Sequence, residues 1–182
     1  MIDLAKIATG DAWEIAGHRL RPLELGHAVI LQKVGADDPT TEAEAALAVL
    51  ICARPWDCWQ AAFSSRWFGV RFALVMRRMQ PGTIAQVRAY LASNSELPIV
   101  TTKAGRGNGD TGTPYLQHVR AVLISECGYQ PAAAWSAPYG QAMWDYLARM
   151  EYNGAITITD RAKVDEVREA YAKLKTAAAT RN

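Results

Sequence analysis

DCWQAAFSSRWFGVRFALVMRRM, residues 57 to 79, is the stretch on which the fold turns. At about 100° per residue, one continuous helix over this span lines up Trp59, Phe63, Trp67, Val70 and Leu74 as a stripe. Phe68, Phe72, Val75 and Met79 form a second stripe on nearly the opposite side. Arg66, Arg71, Arg77 and Arg78 fall on the two seams between them. A helix that is apolar on two faces is either sandwiched inside the fold or offers one face to a partner. The sandwiched arrangement is the simpler of the two.

Helical signals continue on both sides. Upstream, Pro22 opens a pattern in which Leu23, His27, Ile30 and Val34 share a face, and Gly35 ends it. Thr41 and Glu44 stand at capping-box spacing before an alanine-rich run that Pro55 stops. Residues 12 to 20 alternate loosely around Gly17, as a small hairpin or an extended lead-in. Downstream, Pro81-Gly82 turns the chain into a helix from Thr83 to about Ser93.

A second half begins at Pro114, with Thr113 as its cap and Leu116, Val119, Leu123, Ile124 and Cys127 as its apolar side. Tyr139, Ala142, Met143, Tyr146, Leu147 and Met150 then mark a strongly amphipathic helix. The ITIT run, Ile156 to Thr159, is too short to build a sheet alone. From Asp160 onward, Val164, Val167, Tyr171 and Leu174 give a thin apolar stripe on a highly charged helix.

These patterns predict an all-α fold, a bundle of roughly six to seven helices in two halves, with only minor extended segments. The halves are residues 1–93 and 114–159, joined by a flexible glycine-rich loop over 94–113 and followed by a charged helix with a frayed tail over 160–182.

The glycine-rich stretch contains GNGDTG, Gly107 to Gly112, which formally matches the dinucleotide fingerprint. That fingerprint works when a buried strand feeds a tight turn whose amides point at pyrophosphate. Here LPIVTTKAGR supplies at best a short extended run ending before the glycines. No second strand with an acidic residue follows, and Pro114 removes an amide a phosphate would use. No Gly-Lys-Ser/Thr ending exists either. The stretch reads as a tether, and no cofactor is expected.

Composition narrows the classes further. Half the residues are hydrophobic and six are tryptophan, enough for a packed core. Twenty Lys and Arg against 18 Asp and Glu leave a net charge of +2, without the basic excess of an obligate polyanion binder. The cysteines, Cys52, Cys58 and Cys127, are odd in number and lack a CxxC pair, which predicts reduced thiols. No signal-peptide pattern and no apolar run of membrane-helix length are present, which predicts a soluble, cytoplasmic protein.

Candidate chemistry is sparse. His27 sits on an apolar helix face, where a buried histidine held by one hydrogen bond is the plain reading. His118 and Cys127 share a helix at a spacing unsuited to a local dyad. His18 falls in a loop, and no metal-ligand spacing appears. The four arginines, interleaved with Trp59 and Trp67, either contact nucleic acid or snorkel along the seams of a buried helix. Overall charge favours snorkelling, and no catalytic residue is assigned.

Three further stretches carry a resemblance. They are Arg21-Pro22-Leu23-Glu24-Leu25-Gly26-His27, then Cys52-Ala53-Arg54-Pro55-Trp56, then Trp135-Ser136-Ala137-Pro138 with Ala142, Trp144, Glu151 and Gly154. Together, in patches from about residue 18 to 160, the chain resembles small helical tail assembly chaperones of tailed phages and prophages. The resemblance implies a non-enzymatic role in virion morphogenesis in the host cytoplasm. Such chaperones coat the tape measure protein, keep its apolar helices soluble and deliver it for tail tube polymerisation.

In that setting the second stripe, Phe68, Phe72, Val75 and Met79, becomes the candidate groove wall. Val167 and Tyr171 mark a detachable second arm. Self-association stays open. The alternative is a phage nucleic-acid-handling protein, for packaging or head completion, that uses Arg66, Arg71, Arg77 and Arg78.

Overall fold

The computed structural model describes residues 13–102 and 114–159. Its elements run β1 (Trp13–Ile15), β2 (His18–Leu20), α1 (Leu25–Val34), α2 (Glu42–Cys52) and a 3-10 turn (Trp56–Cys58). Then come α3 (Trp59–Phe63), α4 (Phe68–Arg77), α5 (Thr83–Asn94), β3 (Ile99–Thr102) and α6 (Tyr115–Glu126). The described chain closes with α7 (Ala133–Ser136), α8 (Tyr139–Tyr152) and β4 (Ile156–Thr159).

The all-α expectation is corrected. Beside eight α-helices among the described residues stand two antiparallel two-stranded sheets, so the fold is mixed, with helix predominant. β1 and β2 form a hairpin that turns at Ala16 and Gly17, both with positive φ, the geometry of the tight turns that suit strand twist. β3 and β4 pair in the register Ile99–Thr159 to Thr102–Ile156. IVTT and ITIT consist entirely of β-branched residues, whose stiff side chains suit a pleated ribbon. Each run is too short alone, but each supplies the ladder the other lacks. Part of the stretch read as a loop over 94–113 is thus a strand, and residues 103–113, with GNGDTG, lie outside the described residues.

The 57–79 helix is also corrected, because it breaks after Phe63. Ser65 is responsible. Its Oγ accepts the Trp67 amide at 3.2 Å while its carbonyl accepts the Phe68 amide at 2.9 Å, a local turn that competes with the helical ladder. The break rotates α4 relative to α3. In one helix Phe63 and Phe68 would lie about 140° apart in azimuth, yet their ring centroids are 4.8 Å apart. Trp59, Phe63, Phe68 and Phe72 become one aromatic run that merges the two stripes.

Two clusters form the interior. The first gathers Ile15, Leu20, Leu31, most of α2, Val75, Val87, Tyr90 and Leu91. The second gathers Leu116, Val119 and Leu123 of α6, Met143, Tyr146 and Leu147 of α8, and Ile156. Helix α1 belongs to both: Leu31 packs in the first, and Leu25 and Ala28 in the second. The halves are therefore joined through a buried helix as well as through the chain connecting them.

α1 starts at Leu25, with Glu24 as its N-cap, three residues beyond the Pro22 start that the sequence suggests. α2 begins as expected at the Thr41–Glu44 capping box. Gly26 in the first turn of α1 makes room for Trp56: a Cβ there would sit 2.5 Å from the indole Cγ and Cδ2. The indole cannot swing away freely, since its Nε1 donates to Ser136 Oγ at 3.0 Å and its ring leans on Trp135.

Gly26→Ala should therefore destabilise the fold. Overpacking of about 1–3 kcal/mol outweighs the roughly 0.5–1 kcal/mol gained by placing Ala in a helix. Urea denaturation is expected to show a lower midpoint for Gly26→Ala. In a Trp56→Ala background the same change should become neutral or favourable.

Candidate functional site

The densest polar chemistry of the chain lies between the two clusters, around residues 21–27. Glu24 and His27 are buried. They form a reciprocal capping box in which the Glu24 amide donates to His27 Nδ1 at 3.2 Å. His27 Nε2 lies 2.7 Å from the Arg54 carbonyl oxygen. A backbone amide can only donate and a carbonyl can only accept, so these two bonds fix the neutral tautomer with its proton on Nε2. The expectation of a single hydrogen bond is thereby corrected to two.

Glu24 accepts from Arg21 through Nη2 at 3.2 Å and from the Trp56 amide at 3.3 Å. Tyr90 Oη donates to the Arg21 carbonyl at 2.7 Å. Around this centre the Arg21 amide reaches the Cys52 carbonyl, the Leu25 amide the Ala137 carbonyl, and the Tyr139 amide the Leu23 carbonyl. Residues 21–27, 52–56 and 135–138 thus meet at one junction, while Glu151, from the third resemblance stretch, holds the Ile158 amide instead. Burial pushes the Cys52 thiol up to about 12 and raises the Tyr90 phenol. Beyond the local Arg21–Glu24 pair and the Glu24–His27 capping box, the contacts of this group join distant segments.

Other candidate groups stay apart. His118 meets the Tyr146 ring edge-on at 6.0 Å, Glu126 is held by Arg149 at 2.6 Å, and the Cys127 thiol points at the Asp145 carbonyl. Among the described residues no three His, Cys, Asp or Glu side chains gather as a metal site.

The outward face of α3 and α4 is different. Four large apolar residues are exposed there: Phe63 at 41%, Trp67 at 56%, Val70 at 49% and Leu74 at 50%. This is the first stripe, without the buried Trp59. The second stripe, Phe68, Phe72, Val75 and Met79, packs inward on the N-terminal cluster, with Val75 at 0%. The sequence had the two faces reversed. α2 accounts for this: it packs against α4, and Val75 with the neighbouring Phe68 and Phe72 turns to the cluster that α2 dominates. Val167 and Tyr171 lie outside the described residues.

Beside Phe63 opens a groove of about 740 Å³, walled by Val29, Ile30 and Val34 of α1 and by Trp56, Trp59 and Phe63. Lys33 and Asp57 stand among its lining residues. Sequence periodicity could not reveal it, because its walls come from segments a whole helix apart.

Arg66, Arg71, Arg77 and Arg78 are exposed, not folded into the core. Arg66 lies 6.0 Å from the Trp67 ring, and Arg78 packs its guanidinium over Gly17 beside His18. Between Asp57 and Glu96 the chain has five arginines and no carboxylate. Among the described residues no helix is long and apolar enough to cross a membrane. Comparison with protein families, curated proteins and solved structures returned no match.

The buried junction has a pH signature. Burial, above all, lowers the His27 pKa below its ordinary 6.5, against opposing help from Glu24 and the Arg54 carbonyl. Above 6.5 the ring is neutral in folded and unfolded chains alike. As pH falls below 6.5 the unfolded chain takes a proton that the fold refuses, and stability drops. His18, lowered by partial burial, Arg78 and Arg54, adds a term of the same sign. Denaturant midpoints should therefore decline on acidification below about pH 6.5, and His27→Gln should make that decline shallower while lowering the midpoint at pH 7.5. An undiminished acid dependence in His27→Gln would show that the junction is not its source.

Proposed function

We propose that this protein is a non-enzymatic assembly factor of the tail assembly chaperone kind, which binds an amphipathic helix of a tape measure or other tail protein and keeps it soluble. The observation that carries the reading is the exposed Phe63, Trp67, Val70 and Leu74 set beside an apolar groove. Scattered apolar residues are normal on a surface, but Phe63 on a groove wall followed by Trp67, Val70 and Leu74 exposed at helical spacing is a pattern that suits helix-in-groove recognition. The groove wall and α4 share one base, since α2 packs against both α1 and α4. A preformed surface limits the ordering cost of binding.

A second reading, nucleic-acid handling in the host cytoplasm, is favoured by the five arginines without a carboxylate between Asp57 and Glu96. It predicts DNA binding that weakens steeply with salt and is lost when Arg77 and Arg78 become alanine.

The deciding experiment is co-expression with the long, coiled-coil-rich tail protein that the chaperone reading expects to be encoded beside this one. The chaperone reading expects a soluble complex of fixed stoichiometry. Val70→Glu and Leu74→Glu should each weaken that complex by at least about tenfold, or about 1.4 kcal/mol. Because both side chains are exposed, the thermal midpoint should hold to within roughly 0.5 kcal/mol of stability. Phe72→Glu should instead unfold the protein, since that ring packs on the core. A partner that stays insoluble, together with salt-sensitive DNA binding, would hand the case to the second reading.

A further inference from the structure

We infer that the occupant of this face is an acidic amphipathic helix, with its apolar side on Trp67, Val70 and Leu74 and its flanking carboxylates on Arg71, Arg77 and Arg78. The inference rests on the helix-binding reading above and adds the chemistry of the partner. On α4 the stripe centres on Val70 and Leu74. By helical spacing, Arg71 and Arg78 flank it on one side and Arg77 on the other, and Arg77 and Arg78 also line a polar hollow with Glu14 and Gly17 of the β1–β2 hairpin. Among the described residues no carboxylate lies within ion-pair distance of these three arginines. An apolar seam bordered by unpaired charge of one sign is the arrangement by which helices select partners across flanking positions.

The same charge pattern argues against two other occupants. A second copy packed about a two-fold axis would set each arginine row against its own image, with no carboxylate between Asp57 and Glu96 to relieve it. The chain's own residues 160–182 carry six Lys and Arg against four Asp and Glu, a net +2 that matches the arginines in sign. A lipid surface would satisfy arginines and apolar residues together, but Phe63, four residues before Trp67, lines a groove walled by α1, a concavity that suits a rod-shaped ligand rather than a plane.

The test uses the full chain and four labelled probes, read by fluorescence anisotropy at low and high salt. Two are host peptides of about 20 residues, long enough to span α4 and the groove, with one leucine stripe flanked by glutamates or by lysines. The third keeps the glutamates and scrambles the stripe, and the fourth is a vesicle of phosphatidylcholine and phosphatidylglycerol.

The glutamate-flanked peptide should bind at least tenfold more tightly than the lysine-flanked one, with the gap narrowing as salt rises. The scrambled peptide should lose most of that affinity. The triple variant Arg71→Glu, Arg77→Glu, Arg78→Glu, checked for an unchanged circular dichroism melt, should reverse the preference. Equal binding of both striped peptides would overturn the acidic specificity and leave helix binding standing. Equal binding of the striped and scrambled acidic peptides would reduce the face to a simple anion site. Vesicle binding without peptide binding would overturn both this inference and the helix-binding reading.

Discussion

Between Arg21 and His27 the chain must cross from one apolar cluster to the other while keeping its backbone polar groups paired. Buried amides and carbonyls without partners are costly, and this seven-residue passage meets that constraint with contacts drawn from distant parts of the sequence. Cys52, Arg54, Trp56, Tyr90, Asn94, Ala137 and Tyr139 all bond to it. The capping box between Glu24 and His27 then begins α1 at the one angle that lets Leu31 point into the first cluster and Leu25 into the second. Histidine serves here because it alone offers an acceptor and a donor on opposite sides of a small ring. A carboxylate in its place could take the Glu24 amide but would repel the Arg54 carbonyl.

Once α1 is fixed, the outer face follows. Its Val29, Ile30 and Val34 are left for neither cluster's centre and become one wall of the groove. Trp56 is set against Gly26 by the same junction and becomes part of the other wall. The chemistry that holds the molecule together and the surface that faces outward thus share residues, although Glu24 and His27 themselves are buried.

Much of this was legible in the sequence, and the failures have physical causes. The helix over 42–52 announced itself through its capping box, those over 115–126 and 139–152 through 3.6-residue periodicity, and that over 83–94 through the Pro81-Gly82 turn. The cap expected at Thr113 lies outside the described residues, and the N-cap of α6 is Pro114. The α3–α4 break did not, because helical spacing continues formally through Ser64 and Ser65 and only a side-chain bond to the backbone interrupts it. Which stripe of α4 faces out depends on what α2 presents, and a pattern on one helix does not contain that information. The β3–β4 ribbon was hidden by distance along the chain, since neither four-residue run signals a strand until the other lies beside it. Residues 21–27, 52–56 and 135–138 come together in space although nothing in their spacing along the chain says so.

The two bonds that clasp α1 to the far half, Leu25 amide to Ala137 carbonyl and Tyr139 amide to Leu23 carbonyl, each link residues more than 100 positions apart. At the usual pace of about 5–20 residues per second, a ribosome needs on the order of ten seconds to make the intervening chain. Throughout that interval the N-terminal core can close behind α1, but Leu25 and Ala28 have nothing to cover them. The molecule therefore passes through its own synthesis with an apolar side of α1 uncovered until α6 and α8 dock on it.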